Sequence, residues 1–492
     1  MNIVIASSEV APYSKTGGLA DVTEALPKEL IKLGHHVKTF SPFYKCVSRK
    51  VSDIDNTGIE VTVKLGGREY VGEVLRKNDI YFIKNDEFYF YDDLYGNNDK
   101  EYENNSIRFA FFSLSVLEAL RLMGERVDII NCHDWHTALI PIYMKLGYSD
   151  FRELGKTVSV FTIHNLAYQG LFSRETMKSI NLPMELFNIS GLEFYDKLSF
   201  IKGGLVFSDI LTTVSKKYSH EIQSDPLGCG LDGVLRERKD DLFGILNGID
   251  YENWDPQSDR LIASNYSPED LSGKKICKEN LKNIFNLPDK DNVPLIGMVS
   301  RLDPQKGFEL IENAAKQIMK MPVQMVFLGT GLKRIEKFLR QLASKYPDKV
   351  GVHIGYDNML AHKIEAGADI FLMPSRYEPC GLNHLYSLKY GTVPIVRATG
   401  GLDDTIKNYS KKRGKGNGFK FKGYSAQNLI KSVSKAVDLY DSDKKEWRQL
   451  QKRGMSEEHS WHKSAINYLK VYSRAIKKGP AKINDRERII NV

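Results

Sequence analysis

Short apolar runs alternate with helix-length amphipathic stretches along most of the chain. The first run, residues 2–7, is followed by a break at Pro12, a glycine pair at Gly17 and Gly18, and a helical pattern reaching Leu33. Strand, loop and helix are predicted in that order. Residues 127–131, 157–163 and 209–214 are further short runs, two of them β-branched, separated by segments long enough for helices. Parallel strands need such crossovers, so the alternation predicts a parallel sheet. Residues 58–91 follow another rule: Val61, Val63 and Leu65, then Tyr70, Val71 and Val74, then residues 80–83 predict a hairpin insertion.

The second half repeats the theme, with runs at 294–300, 323–328, 350–354, 369–373 and 393–396. Two doubly wound α/β domains are expected. The boundary falls near residues 247–250, where a strand-like run ends in Gly248 and gives way to a polar stretch containing Pro256. Residues 425–476 read as polar helix anchored by Trp447 and Trp461, and no repeat of solenoid period is present.

Composition narrows the class without naming a chemistry. The chain has 492 residues, 42% of them hydrophobic, which excludes disorder and collagen-like repetition. No stretch approaches the roughly 18 consecutive apolar residues of a membrane span, and the first residues read as a strand, not a signal segment. No membrane partner and a cytoplasmic location are expected. Five scattered cysteines without a CxxC pair indicate neither a disulfide framework nor a zinc site. The net charge of +8 is modest for this length and partly concentrated at 411–415 and 477–478. Without an accompanying recognition motif it gives no ground for nucleic-acid binding, and small phosphorylated ligands suit the scattered Lys and Arg better.

In open α/β sheets ligands bind beyond the carboxyl ends of the strands, so the polar residues there are the candidates. Lys15, Thr16, Gly17, Gly18 and Asp21 lie between the first strand and its helix, where glycines admit an anion to backbone N–H groups and Lys15 adds a charge. A Gly-rich turn with a surface lysine explains the pattern equally well. His133, Asp134 and His136 follow the second run; no HExxH pattern accompanies them, so no metal is expected, and Asp134 either orients a neighbour or caps a helix. His164 stands at the next strand end, read either as a sugar or proton-transfer contact or as a satisfied histidine in a turn. Arg301 and Lys306 have the look of a two-cation clamp for a diphosphate. Glu378, Cys380, Gly381 and Leu382 place a carboxylate just before a helix start, and Thr399, Gly400 and Gly401 form a third glycine-containing loop.

Taken together these blocks resemble the bacterial glycogen synthase and plant starch synthase family. The resemblance rests on residues 8–12 with 15–22, on 162–165, on 300–302 with 305–307, and on 378–382, in that order along nearly the whole chain. It implies a GT-B architecture of two Rossmann-like domains facing across a deep cleft: 1–246, a hinge at 247–256, a nucleotide-sugar domain at 257–455, and a helical segment at 456–492 returning to the first domain. It also implies retaining transfer of glucose from ADP-glucose to the non-reducing end of an α-1,4-glucan such as glycogen, without metal or cofactor, and closure of the domains to keep out water.

Carried over by position, the resemblance puts Lys15, Thr16 and Gly18 on the donor and His164 beside the transferred glucose. Arg301 and Lys306 hold the diphosphate, and Glu378 binds sugar hydroxyls near the reacting carbon. Cys380, Gly381, Leu382, Asn383 and Thr399 complete the sugar and phosphate contacts, Tyr356 stacks on the base, and Asp21, Asp134 and Asn247 line the cleft. The chain departs from the family pattern at Asn383-His384, at Asp357-Asn358 and at Thr23-Glu24. His384, where glutamine is usual, is expected to alter the sugar or phosphate contacts or to make them pH-dependent. A UDP-glucose or dual-specificity synthase and a glucan-binding protein without activity are the alternatives; a phosphorylase is disfavoured, because no pyridoxal phosphate lysine signature appears. Oligomeric state is not legible.

Overall fold

The computed structural model describes residues 1–97, 100–148, 151–290 and 292–480. The chain divides into two compact units: one comprises Met1–Val214, Ser219–Ile245 and the segment from Ser464 onward, the other Ser215–Tyr218 and Leu246–Lys463. None of the described helices is long and apolar enough to cross a membrane.

Among the described residues the main sheet of the N-terminal unit has nine strands. Across the sheet they run Leu242–Gly244, Ile210–Thr213, Val158–Ile163, Ile129–His133, Asn2–Ala6, His36–Pro42, Ile80–Lys84, Arg68–Lys77 and Asp55–Leu65. The first seven are parallel, and the last two join by antiparallel pairings, Arg68–Lys77 on Ile80–Lys84 and Asp55–Leu65 on Arg68–Lys77. The hairpin expected at 58–91 is therefore no separate insertion. Ile80–Lys84 pairs with His36–Pro42 in parallel register, welding the hairpin to the sheet. Its apolar face, Val61, Val63, Leu65 and Val74, is buried, and strand Asp55–Leu65 packs against helix Asn105–Met123.

The final helix, Trp461–Lys478, joins this unit from Ser464. Ala465, Tyr468, Tyr472 and Ala475 recur at spacings of three and four, so they share one face, and all four are fully buried. Asn131 Nδ2 donates to Tyr472 Oη at 2.8 Å, tying the helix to a central strand.

The C-terminal unit carries a six-stranded, all-parallel sheet in the order Val350–Ile354, Gln324–Gly329, Leu295–Val299, Ile370–Met373, Val393–Arg397 and Phe419–Phe421. Both faces are covered by helices, which is why its strands read as nearly unbroken apolar runs. Residues 247–256, expected as a hinge, are held in this unit. The Trp254 ring is stacked between His362 and Tyr386, with centroids 3.7 and 3.9 Å away, and the crossing from one unit to the other falls at Ile245 and Leu246.

Candidate active site

Each unit brings candidate residues to the carboxyl ends of its strands. In the N-terminal unit the loop after Asn2–Ala6 runs into helix Gly18–Lys32. The anion on its free N–H groups is the protein's own. The buried Glu9 carboxylate accepts from Thr16 N and Thr16 Oγ1, both at 2.6 Å, from Gly17 N at 3.3 Å and from Tyr95 Oη at 2.8 Å. Both donors of Thr16 thus serve Glu9, which braces the loop from within. Lys15 Nζ meets Asp21 Oδ1 at 2.6 Å, both partly exposed. A Cβ at Gly17 would touch nothing within 4 Å and its φ of −155° suits any residue, so the protein's own packing does not demand glycine there. Thr23, one of the departures, donates to Glu9 O at 2.6 Å and fastens the helix to the strand end.

Tyr95 carries this network to the next strand end by stacking on His136 at 4.5 Å. His136 is also stacked on Trp135 at 4.0 Å, and burial pushes the pKa of its ring well below the usual histidine value. Asp134 makes no helix cap. Its Oδ1 accepts from His164 N at 2.7 Å, so of the two expected roles it takes the orienting one. Burial pushes its carboxyl up to about 7, against the lowering effect of the His164 and Asn165 N–H groups. His164 Nε2 lies 2.8 Å from His133 Nδ1, and burial pushes His164 down to about 3. A ring held neutral by burial, with one nitrogen committed to its neighbour, is not a ready proton acceptor.

In the C-terminal unit Lys306 and Glu378, distant in sequence, form one ion pair. Lys306 Nζ donates to both carboxylate oxygens, at 2.9 and 2.7 Å, and Ser375 Oγ adds a bond at 3.0 Å. Glycine makes this approach possible. Gly307 sits at φ +78°, and a Cβ there would fall 2.1 Å from Pro374 O; next to it Arg376 N donates to Gln305 O at 2.7 Å. Arg301 follows the strand Leu295–Val299, half-exposed, with Nη2 3.4 Å from Asp303 Oδ2. The turn it stands on is pinned by Ser300 N to Leu328 O and Leu302 N to Thr330 O.

The third glycine loop has a structural explanation. A Cβ at Gly400, φ +44°, would fall 1.9 Å from Glu378 O, and one at Gly401 would fall 2.2 Å from Cys380 O. The pair lets the Thr399 turn pack directly on the loop that carries Glu378, with Gly401 N donating to Pro379 O at 3.2 Å. Cys380 is buried and its thiol is pushed up to about 12 by burial, so it contributes backbone, not a nucleophile. Asn247 is buried beside Cys380, its backbone bonded to the thiol, and its Oδ1 has no partner among the described residues. Asn383 Nδ2 donates to Val299 O at 3.1 Å, next to the Gly381 turn at φ +76°. Tyr356 is 80% exposed, a ring with one face available for stacking. The following Asp357 accepts from Leu360 N at 2.9 Å and caps helix Asn358–Gly367; nothing in the structure explains Asn358, the residue that departs from the family pattern.

His384 departs from expectation. It is fully buried, its Nε2 is 2.7 Å from Thr405 Oγ1, and burial pushes it down to about 3. Because the Thr405 hydroxyl proton goes to Gly401 O at 2.7 Å, His384 Nε2 is the donor and Nδ1 carries the lone pair. The side chain braces helix Gly400–Thr405 and does not titrate near neutral pH. No group of three or more His, Cys, Asp or Glu is placed to hold a metal ion among the described residues. Sequence reasoning assigned no role to Glu9, Tyr95, Ser375 or Thr405, although Glu9 lies at a strand end within the motif block 8–12.

Two Rossmann-like sheets with charged and glycine-rich loops at their carboxyl ends define a glycosyltransferase of the GT-B fold. Residues 2–237 match the family described as starch synthase catalytic domain, and residues 278–454 the family described as glycosyl transferases group 1. The chain is 46% identical to the glycogen synthase of Geotalea daltonii, over 97% of this chain and 99% of that one. It is 44% identical to the glycogen synthase of Koribacter versatilis, over 96% and 98%. Among solved structures, the catalytic domain of starch synthase IV from Arabidopsis thaliana, bound to ADP and acarbose, superposes with a TM-score of 0.89 at 32% identity, covering 97% of this chain and 99% of that one. A sucrose-phosphate synthase from Thermosynechococcus elongatus shares the fold alone, with a TM-score of 0.59 at 15% identity over 97% and 99%. The chain belongs to the glycogen and starch synthase family.

Proposed function

We propose that the protein transfers glucose from ADP-glucose to the 4-hydroxyl at the non-reducing end of an α-1,4-glucan, with retention of configuration. The observation that carries this reading is the buried Lys306–Glu378 pair beside the cationic Arg301 turn. In the reaction the bond from the glucose anomeric carbon to the diphosphate oxygen breaks and a bond to the acceptor oxygen forms. The acceptor proton leaves with ADP. Charge gathers on the diphosphate as it departs, and Arg301 and Lys306 stabilise it. Glu378 accepts hydrogen bonds from sugar hydroxyls while holding Lys306 in place. Lys15, Gly18 and His164 serve the donor and its glucose from the N-terminal unit, and Tyr356 offers a ring to the base. The ADP bound to the Arabidopsis relative supports the choice of nucleotide, and the acarbose bound there supports a glucan acceptor.

The test is release of ADP from ADP-glucose and of UDP from UDP-glucose, each with and without glycogen, in EDTA. Acceptor-dependent ADP release that survives the chelator is the expected result. Faster release of UDP overturns the donor assignment, and loss of activity in EDTA overturns metal independence. Release of neither nucleotide leaves glucan binding as the function.

A further inference from the structure

The strand Phe419–Phe421 is an edge of the C-terminal sheet, and helix Ala426–Ser442 follows it after a short turn. A groove of about 550 Å³ runs along them. Five lysines line it, Lys411, Lys420, Lys422, Lys431 and Lys435, against the single carboxylate of Asp438. The two secondary-structure periods produce this face. Along the strand Phe419 and Phe421 turn into the core, so Lys420 between them turns out. Along the helix Leu429, Val433, Ala436 and Val437 are buried, which leaves Lys431, Lys435 and Asp438 exposed one turn apart.

The fold neutralises only part of this charge. Lys411 meets Asp443 at 3.2 Å and Lys420 meets Asp403 at 2.6 Å. Lys422, Lys431 and Lys435 have no ion-pair partner among the described residues. Like charges at a spacing of four on a helix repel, and a concave wall of one sign concentrates counter-ions. Asn408 Oδ1 accepts from Lys420 N at 2.7 Å, which leaves its amide NH₂ as a neutral donor on the same rim.

We propose that this groove binds a small phosphorylated molecule bearing at least two anionic groups. Its volume lies within the roughly 300–1,000 Å³ of small-ligand sites. Cations on flexible stems from the strand, the turn after it and the helix suit phosphate oxygens spaced apart. The site is separate from the Lys306 loop but joined to it. Lys420 Nζ also holds Asp403 O at 3.1 Å, and the short helix Gly400–Thr405 that contains Asp403 packs through Gly400 on the backbone of Glu378. An anion that draws Lys420 from Asp403 therefore acts on the loop carrying Glu378.

The experiment is calorimetric titration of inorganic pyrophosphate into the full chain at constant ionic strength, using the wild type, Lys431→Ala/Lys435→Ala and, as a control of equal charge loss, Lys337→Ala/Arg340→Ala. All four positions are exposed, so folding is preserved. Binding at the Lys306 loop is common to the three proteins and cancels in the comparison, so the result does not depend on the donor assignment. The expected outcome is a saturable site whose affinity falls at least tenfold in the Lys431/Lys435 double variant and is kept in the control. Equal binding by all three proteins, or equal weakening of both variants, overturns the proposal. Tight binding of a long polyanion such as heparin with none of pyrophosphate overturns it in favour of a polymeric ligand.

Discussion

The two units meet negative charge in different ways. In the N-terminal unit the carboxylate of Glu9 takes the N–H groups of Thr16 and Gly17 just before helix Gly18–Lys32, and Lys15 is partly spent on Asp21. In the C-terminal unit the turn after Leu295–Val299 carries Arg301, half-exposed and 3.4 Å from Asp303 Oδ2, and Lys306 reaches across to Glu378. Glycine loops of similar appearance in the sequence thus have different purposes. One is a frame braced by its own carboxylate, and the other is a cationic turn whose lysine is paired with a glutamate from a distant loop.

This contrast can be broken most forcefully on the C-terminal side. Lys306→Ala and Glu378→Ala each remove a partner of a buried pair, and turnover is expected to fall by about 10²-fold or more, the scale seen when one preorganised charge donor is lost. Near-normal steady-state rates in both, with circular dichroism showing folded protein, would remove these residues from the chemistry. On the N-terminal side Glu9→Gln keeps the shape but halves the acceptor capacity on Thr16 and Gly17. The expected effect is a rise in donor KM of about tenfold with a smaller change in kcat, since each charge-assisted bond contributes about 1.5–3 kcal/mol. An unchanged KM would show that the loop holds its form without Glu9.

Acidity sharpens the comparison next. His133, His136 and His164 in the N-terminal unit and His384 in the C-terminal unit are all held below the usual histidine pKa by burial. An unfolded histidine titrates near 6.5, so below that pH the unfolded state binds more protons and stability falls as the pH drops toward 3. Asp134 works in the opposite sense, because its raised pKa favours the folded state as the pH falls from about 7 toward 4. Three histidines outweigh one carboxyl, so the urea midpoint of the N-terminal transition is expected to drop between pH 7 and pH 5, and more steeply in Asp134→Asn. A midpoint that rises on acidification would contradict the buried, neutral assignment.

Smaller effects are expected from the exposed pair and from His384. Lys15→Ala removes a partly exposed ion pair and is expected to change stability by less than about 1 kcal/mol, while weakening donor binding several-fold. A large loss of melting temperature without a change in donor affinity would make Lys15 structural. His384→Gln is expected to leave the pH–rate profile between pH 6 and 8 unchanged, because the ring is pushed down to about 3 and titrates far below that range. A profile limb that disappears in this variant would restore the titrating role the sequence suggested.

What the sequence determined by itself was whatever depends on near neighbours. The alternation of short apolar runs with helical stretches is set within a few residues by backbone geometry and side-chain period, so both parallel sheets and most strand positions were legible. The ordered motif blocks placed Lys15, His164, Arg301, Lys306 and Glu378 at strand ends. Tertiary structure alone decided what those residues do to one another. Lys306 and Glu378 are 72 residues apart, and Glu9 and Tyr95 are 86 apart. Gly400 is glycine because a distant carbonyl would lie 1.9 Å from any Cβ there, and His384 is held neutral by its complete burial. Pairing, close approach and dielectric surroundings arise from contacts across the fold, and no local pattern encodes them.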